Sequence, residues 1–371
     1  MTLQRVEAGD EAASARRAGA SRRRAVGLRF WALSGLFVLA TLLALGWGAV
    51  TIPPTLIANI LAHSLGLAAL DPALATEEAV LLSIRLPRVL LAILVGGGLA
   101  VCGAALQGLF RNPLADPGLI GVSAGAALAA AATIVFGGLF FAGLPPALRP
   151  YLLPLAAFLG GLLVTVIIQR LARSGGRTDV ATLLLAGIAV NAIAGAGIGL
   201  LFYLADDQQL RAVTLWTLGS LAGRPWSEIL PALPLILIAL VGLLAMARPL
   251  NALLLGEQEA YHLGFAVERL KRRLVLLVAL ATGAAVAVSG IIGFVGLVVP
   301  HLVRLLLGAD HRLVLPASAL VGASLLLVAD LGARHLVLPA ELPIGILTSL
   351  LGGPFFLWLL LRRRRPGGGF A

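Results

Sequence analysis

Long apolar stretches separated by short polar segments are the dominant pattern along this chain of 371 residues. A bilayer core about 30 Å thick needs a helix of roughly 20 apolar residues, and ten stretches approach that length. They lie at residues 30–50, 89–110, 118–136, 152–171, 180–203, 229–247, 274–292, 294–307, 315–334 and 344–361. The runs are long and do not alternate, which favours helices over the strands of a membrane barrel. We therefore predict an all-α polytopic membrane protein with about ten transmembrane helices.

Composition shows that the apolar surplus must face lipid rather than fill a soluble core. Hydrophobic residues make up 60% of the chain and charged residues 12%, and the mean hydropathy is +1.01. Soluble domains have roughly 45–50% apolar and 25% charged residues. The single cysteine, Cys102, lies inside an apolar stretch, which excludes an internal disulfide and a thiol metal cluster. The net charge of +11 does not indicate nucleic acid, because the arginines lie between apolar runs and form no exposed basic face.

The distribution of basic residues predicts the orientation in the membrane. If residues 1–29 are cytoplasmic and the spans alternate, most of the 28 arginine and lysine residues fall on the cytoplasmic side, as expected for inner-membrane proteins. The exceptions are Arg85, Arg88, Arg149, Arg211, Arg224 and Arg334. We therefore expect a bacterial inner-membrane protein with both termini in the cytoplasm. Residues 1–29 are predicted to be a disordered basic tail, residues 30–362 the transmembrane domain and residues 363–371 a second cytoplasmic tail.

The second and seventh predicted spans share small residues at a constant offset. The aligned pairs are Gly96 with Gly283, Ala100 with Ala287, Gly103 with Gly290 and Pro113 with Pro300. An odd number of spans separates the two copies, so they would run in opposite directions, as in the inverted repeats of transporters. Chance matching between two helices rich in glycine and alanine is the alternative.

One face of the fifth predicted span consists of small residues and one amide. Gly187, Asn191, Gly195 and Gly199 are spaced four residues apart. Such a face allows close helix packing, or it lines a path through the membrane. Asn191 needs either a hydrogen-bond partner or a cavity within the bilayer.

Three stretches of the sequence form a recognisable signature. The first stretch contains Arg85-Leu-Pro-Arg88 and Gln107-Gly-Leu-Phe-Arg-Asn-Pro-Leu-Ala-Asp-Pro-Gly118. The second runs from Leu250-Asn251 through Leu255-Gly256-Glu257 to Leu263-Gly264. The third contains Gly293-Phe-Val-Gly-Leu-Val-Val-Pro-His-Leu-Val-Arg304, Gly308-Ala-Asp-His-Arg312 and Ala340-Glu-Leu-Pro-Ile-Gly345. Together they resemble the permease subunit of bacterial type II ABC importers for vitamin B12, ferric siderophores and haem. The resemblance covers roughly residues 30–362. Within it, residues 206–220 look most like the haem-importing branch.

The resemblance implies a B12-permease-like fold that pairs as a homodimer around a central path. It also implies two cytoplasmic ABC ATPase subunits, a periplasmic substrate-binding protein, and haem as the transported substrate. No Gly-x4-Gly-Lys-Ser/Thr motif is present, and the only lysine, Lys271, is followed by arginine. ATP and Mg²⁺ are therefore expected on the partner ATPase. We expect a non-enzymatic transport subunit that binds no cofactor or metal of its own.

Residues 248–273 form a long polar segment on the predicted cytoplasmic side, near the middle of the domain. The resemblance implies that they form coupling helices, which seat in a groove of the ATPase. The candidate residues are Leu253, Leu255, Gly256, Glu257, Ala260, Leu263 and Gly264. An ordinary cytoplasmic connector is the alternative.

Three arginines on the predicted outer side are docking candidates. The resemblance implies that Arg85, Arg88 and Arg334 meet acidic residues of the binding protein, and guanidinium–carboxylate pairs suit such docking. Solvated loop charges are the alternative. For the path, the candidates are Gly187, Asn191, Gly195, Gly199 and Arg211. Arg211 would meet the haem propionates or would pair with Asp206 or Asp207.

Two other functions are weighed against haem import. The same family also imports cobalamin and ferric siderophores. A secondary transporter driven by a proton or sodium gradient is the more distant alternative, and it would need ionisable residues within its spans. Asp330 is the main candidate for such a residue, unless it pairs with Arg334 one helical turn away.

Overall fold

The computed structural model describes residues 2–69, 71–140, 143–175, 177–337 and 339–363, with side chains from residue 24 onwards. These residues form fifteen α-helices and one short antiparallel hairpin. In chain order they are α1 (Thr2–Gly46), α2 (Pro54–Ser64), α3 (Ala75–Ala79), α4 (Leu86–Leu109), α5 (Val122–Phe140), α6 (Arg149–Leu171), β1 (Arg173–Ser174), β2 (Arg177–Thr178), α7 (Val180–Leu204), α8 (Asp207–Thr217), α9 (Trp226–Ala245), α10 (Ala247–Leu255), α11 (Glu257–His262), α12 (Val267–Ser289), α13 (Val295–Leu307), α14 (His311–His335) and α15 (Ile344–Arg363). A π-helical segment, Val80–Arg85, joins α3 to α4.

Each predicted span corresponds to a helix, although two of the helices are shorter than a full span. Eight helical segments of the described chain are long and apolar enough to cross a membrane, and they contain α1, α4, α5, α6, α7, α9, α12 and α14. Two shorter apolar helices, α13 and the apolar part of α15, complete the set of ten. The predicted all-α polytopic fold is therefore confirmed.

The N-terminal tail differs from the prediction. Residues 1–29 were expected to be disordered, but α1 begins at Thr2 and continues without a break into the first span. Alanine and arginine favour helices, and an existing helix is extended more easily than a new one is nucleated. The C-terminal tail expected at 363–371 lies outside the described residues beyond Arg363.

Helix α4 forms the centre of the bundle, where it packs against α9, α12, α13 and α14. Glycines allow the closest approaches: a Cβ added at Gly103 would collide with the carbonyl oxygen of Gly296 in α13, and one at Gly96 with Gly322 in α14. Small residues of this kind let membrane helices approach backbone to backbone. Cys102 lies fully buried in this core, with its Sγ 3.9 Å from the Val278 carbonyl oxygen in α12.

Helix ends follow local sequence signals. Gly290, with φ of 69°, ends α12 and separates it from α13. Asp179 caps α7 by accepting the Thr182 backbone N–H. Asp206 and Gln209 form a capping box that starts α8. The residues after the fifth span therefore form a short separate helix.

Candidate functional site

The predicted coupling segment consists of two short helices connected by glycines. Gly256, with φ of 137°, separates α10 from α11, and Gly264, with φ of 87°, turns the chain towards α12. Side chains other than glycine are strained at such positive φ values. Both glycines singled out in the sequence are therefore required by the backbone path.

The coupling segment has one buried face and one exposed face. Leu253 is 2% exposed and Ala260 is fully buried, so they anchor the segment to the bundle. Leu255, Tyr261 and Leu263 are 67%, 71% and 60% exposed. Clustered exposed apolar side chains on a short segment are typical of a surface that binds another protein.

A hydrogen-bonded cluster ties α10 to the beginning of α14. Asn251 Nδ2 donates to Asp310 Oδ1 at 2.6 Å, and the His311 backbone N–H donates to Asn251 Oδ1 at 2.8 Å. Burial raises the pKa of Asp310, but hydrogen bonds from the Arg312 backbone N–H and from Asn251 outweigh it and hold the pKa below its ordinary value. This carboxylate therefore stays ionised, and it links the coupling segment to a long transmembrane helix.

Lys271 provides a second connection between the coupling segment and the rest of the bundle. Its Nζ donates to Glu257 Oε2 at 2.7 Å, to the Thr178 carbonyl oxygen at 3.0 Å and to Glu268 Oε1 at 3.2 Å. These bonds connect α11, the β1–β2 hairpin and α12 through one buried ammonium group. Glu257, predicted as a coupling residue, thus serves to anchor α11 in this structure.

Arg88 lies in a buried ion-pair network at the other end of the bundle. Its guanidinium binds Glu341 in a bidentate arrangement, with Nη1–Oε1 at 3.0 Å and Nη2–Oε2 at 2.9 Å. Its Nε also donates to Asp330 Oδ1 at 2.9 Å. The side chain is 10% exposed and that of Asp330 is 1% exposed. Hydrogen bonds from Arg88 lower the pKa of Glu341, although burial acts in the opposite direction.

Arg334 and Arg85 complete this outer cluster, which we define as Arg85, Arg88, Arg334, Asp330 and Glu341. Arg334 Nε donates to Asp330 Oδ2 at 2.9 Å, one helical turn away, as weighed from the sequence. Arg85, 4% exposed, donates to the carbonyl oxygens of Leu45 and Val50. It therefore holds the end of α1 against α4.

The outer cluster changes the interpretation of the three docking candidates. The three side chains are not solvated loop charges, because Arg85 and Arg88 are buried, Arg334 is half-buried, and each has partners within the chain. The role of Asp330 and Glu341 as those partners was only partly foreseen. Ionisable residues in apolar spans require partners, and that rule indicates that Asp330 is paired without identifying Arg88 as a partner. Docking itself stays a prediction.

The path candidates separate into two groups. A Cβ at Gly187 would collide with the Leu119 carbonyl oxygen, and Asn191 Nδ2 donates to the Gly118 carbonyl oxygen at 3.1 Å. These two residues pack against the turn before α5. Gly195 and Gly199 are exposed, and a Cβ at either would meet no atom within 4 Å. Of the four candidates on this helix, only the two in its second half lie on an open surface.

Arg211 lies exposed on α8. The salt bridge considered for it is not formed: within the described residues its side chain has no ion pair with Asp206 or Asp207. Asp206 is instead engaged in the capping box. The guanidinium of Arg211 is therefore available for an anionic group.

Sequence comparison shows that the chain is similar to known transporters. The model of the FecCD transport family matches residues 36–362, which include the coupling segment and the outer cluster. The chain belongs to the FecCD transport family. This FecCD protein is thus a multi-pass permease subunit of an ABC importer, and the gradient-driven alternative built on Asp330 loses its support.

Individual relatives agree with this assignment. The hemin transport system permease protein HmuU of Yersinia pestis is 57% identical over 78% of this chain and 85% of its own length. The cobalamin import system permease protein BtuC of Halobacterium salinarum is 44% identical over 78% of this chain and 75% of its own length. A solved inward-facing structure described as a metal-chelate type ABC transporter has a TM-score of 0.77 and 33% identity, covering 91% of this chain and 99% of that one.

Proposed function

We propose that this FecCD permease moves haem from a periplasmic binding protein into the cytoplasm, driven by ATP hydrolysis on partner subunits. The observation that carries the choice of haem is the 57% identity with a hemin permease, against 44% with a cobalamin permease over the same share of the chain. The exposed, unpaired Arg211 adds a cation suited to the propionate groups of haem.

The coupling segment would connect the permease to its ATPase. Leu255, Tyr261 and Leu263 form an exposed apolar edge on helices that fit a groove in another protein. The ties through Asn251 and Lys271 would transmit a displacement of this edge to α14 and α12. One ATPase subunit would bind each of two permease copies.

A second copy would complete the path. The exposed half of α7, which contains Gly195 and Gly199, offers a surface of small residues for the cargo or for the second protomer.

In the proposed orientation, both termini would be cytoplasmic, and the outer cluster would face the periplasm. Docking through Arg85, Arg88 and Arg334 would require these arginines to exchange partners within the chain for carboxylates of the binding protein.

Uptake by the reconstituted complex tests the proposed cargo. Proteoliposomes would contain the permease, its ATPase and internal ATP, with loaded binding protein outside. We expect saturable uptake of haem and none with a non-hydrolysable ATP analogue inside. Arg211→Ala should weaken haem uptake, whereas Arg224→Ala, which removes a charge paired with Glu228 at 2.9 Å, serves as the matched control. ATP-dependent uptake of cobalamin or a ferric siderophore, without haem uptake, would overturn the assignment.

A further inference from the structure

A cavity of about 250 Å³ lies between the end of α6, the β1–β2 hairpin and the start of α12. Four arginines line it: Arg170, Arg173, Arg269 and Arg272. All four are exposed: Arg170 lies at the end of α6, Arg173 lies in β1, and the other two lie near the start of α12. They form two pairs, Arg170 with Arg173 and Arg269 with Arg272, that are about a hundred residues apart in the sequence. The fold brings both pairs to one cavity, where their positive charges repel.

No carboxylate neutralises these arginines within the described part of the chain, where none of the four has an ion pair. Glu268 also lines the cavity, but its carboxylate already accepts the Thr178 backbone N–H at 2.8 Å and the Lys271 ammonium at 3.2 Å. The cavity therefore holds several guanidinium groups whose donors are free for an anion. Guanidinium groups bind phosphate and carboxylate in a bidentate manner.

The helices beside the cavity show which kind of anion fits. On α6, Leu163 and Ile167 are 61% and 41% exposed, and they lie seven and three residues before Arg170 on the same helix face. On α12, Leu276 is 39% exposed and follows Arg269 by two turns. Each helix therefore presents exposed apolar side chains in line with a basic side chain at its end. A ligand with a negative head group and apolar chains matches both parts.

We propose that this cavity binds the phosphate of an anionic phospholipid, with the acyl chains lying along α6 and α12. Clusters of basic residues at the ends of membrane helices recognise anionic head groups. The four guanidinium groups would contact the phosphate, and the exposed leucine and isoleucine side chains would contact the acyl chains. The site lies apart from the outer cluster and the open face of α7, and it does not depend on which cargo is transported.

Lipid binding to the purified full-length permease in detergent tests the proposal. Phosphatidylglycerol should raise the melting temperature and appear as a bound species in native mass spectrometry, whereas phosphatidylcholine should do neither. Arg170→Gln with Arg173→Gln should weaken phosphatidylglycerol binding about thirtyfold, which is about 2 kcal/mol at 1.4 kcal/mol per tenfold, as for two basic side chains near a membrane surface.

Two further variants keep the result interpretable. Arg170→Lys with Arg173→Lys retains the charge and should retain most of the binding, which separates loss of the site from loss of folding. Arg312→Gln removes an exposed arginine outside the cavity and should bind phosphatidylglycerol like the wild type. Equal phosphatidylglycerol binding by the double glutamine variant would overturn the site. Equal thermal protection by inorganic phosphate would overturn a lipid as its occupant.

Discussion

The outer cluster and the coupling segment lie at opposite ends of α14 and use polar groups in opposite ways. Asp330 and Arg334 are near the end of α14, whereas His311 at its beginning contacts the coupling segment through Asn251. At the outer end, the charges face inward and are paired within the chain. At the coupling end, Lys271 and His311 are buried in the polar ties, and apolar side chains are presented outward.

The two ends therefore differ in whether their side chains stabilise the fold or are exposed to a partner. Breaking a buried ion pair leaves an uncompensated charge and destabilises the fold. Removing an exposed apolar side chain leaves the fold intact but weakens a partner that would cover it. The arginines of the outer cluster thus contribute to the fold, whereas the exposed leucines of the coupling segment are the side chains that we propose to contact the ATPase.

The largest expected effect is from Arg88→Ala. The variant leaves the buried Asp330 with one partner fewer, so we expect the free energy of unfolding to fall by about 3–5 kcal/mol. Denaturation in detergent, followed by circular dichroism, measures the loss. Arg211→Ala removes an exposed arginine and should change stability by less than about 0.5 kcal/mol. If Arg88→Ala keeps wild-type stability but loses binding-protein association, Arg88 is a docking residue and the comparison fails.

Leu255→Ala should affect the ATPase and spare the fold. Burying the lost carbons of leucine is worth about 2 kcal/mol at roughly 0.8 kcal/mol per CH₂, so the affinity for the ATPase should weaken roughly thirtyfold. Titration of labelled ATPase onto the reconstituted permease measures this. Leu305→Ala is the matched control, because Leu305 is 61% exposed against 67% for Leu255 but lies in α13. Unchanged ATPase affinity in Leu255→Ala would contradict the coupling assignment.

Lys271→Met tests the polar anchor of the coupling segment. The side chains of Glu257 and Glu268 are 44% and 36% exposed, so water can hydrate them when the ammonium is lost. We expect a destabilisation of only about 1 kcal/mol. Transport per ATP hydrolysed should fall, because α11 would no longer be tied to α12. Arg273→Met, an exposed neighbour, should leave this ratio unchanged. If the ratio is unaltered in Lys271→Met, Lys271 is not needed to transmit movement from α11 to α12.

The smallest effect concerns pH at the outer cluster. Hydrogen bonds from Arg88 hold the pKa of Glu341 below its ordinary value of 4.5. The stability contributed by the ionised carboxylate is therefore complete above pH 4.5 and is lost as pH falls through the lower folded pKa. Glu341→Gln should show a weaker decline in melting temperature below pH 4.5 than the wild type. Parallel declines would show that this carboxylate contributes nothing.

Hydrophobic length and the family signature were sufficient to predict the spans and to single out Gly256 and Gly264. They were insufficient for the outer cluster, because pairing between Arg88 and Glu341 depends on a contact between segments distant in the sequence. The hydrogen bonds by which the half-buried Asn251 ties α10 to the beginning of α14 were also missed. A hydrophilic amide beside a predicted cytoplasmic segment gives no local signal that its partner is the beginning of another helix.

The burial of Cys102 makes this permease ready for site-directed labelling without prior removal of its native thiol. A membrane-impermeant maleimide would find no accessible sulfur in the folded wild-type chain, since the only cysteine is enclosed between α4 and α12. A cysteine introduced at Leu255 would then be the single reactive position. The side of the vesicle from which it is modified would report the topology of the whole chain.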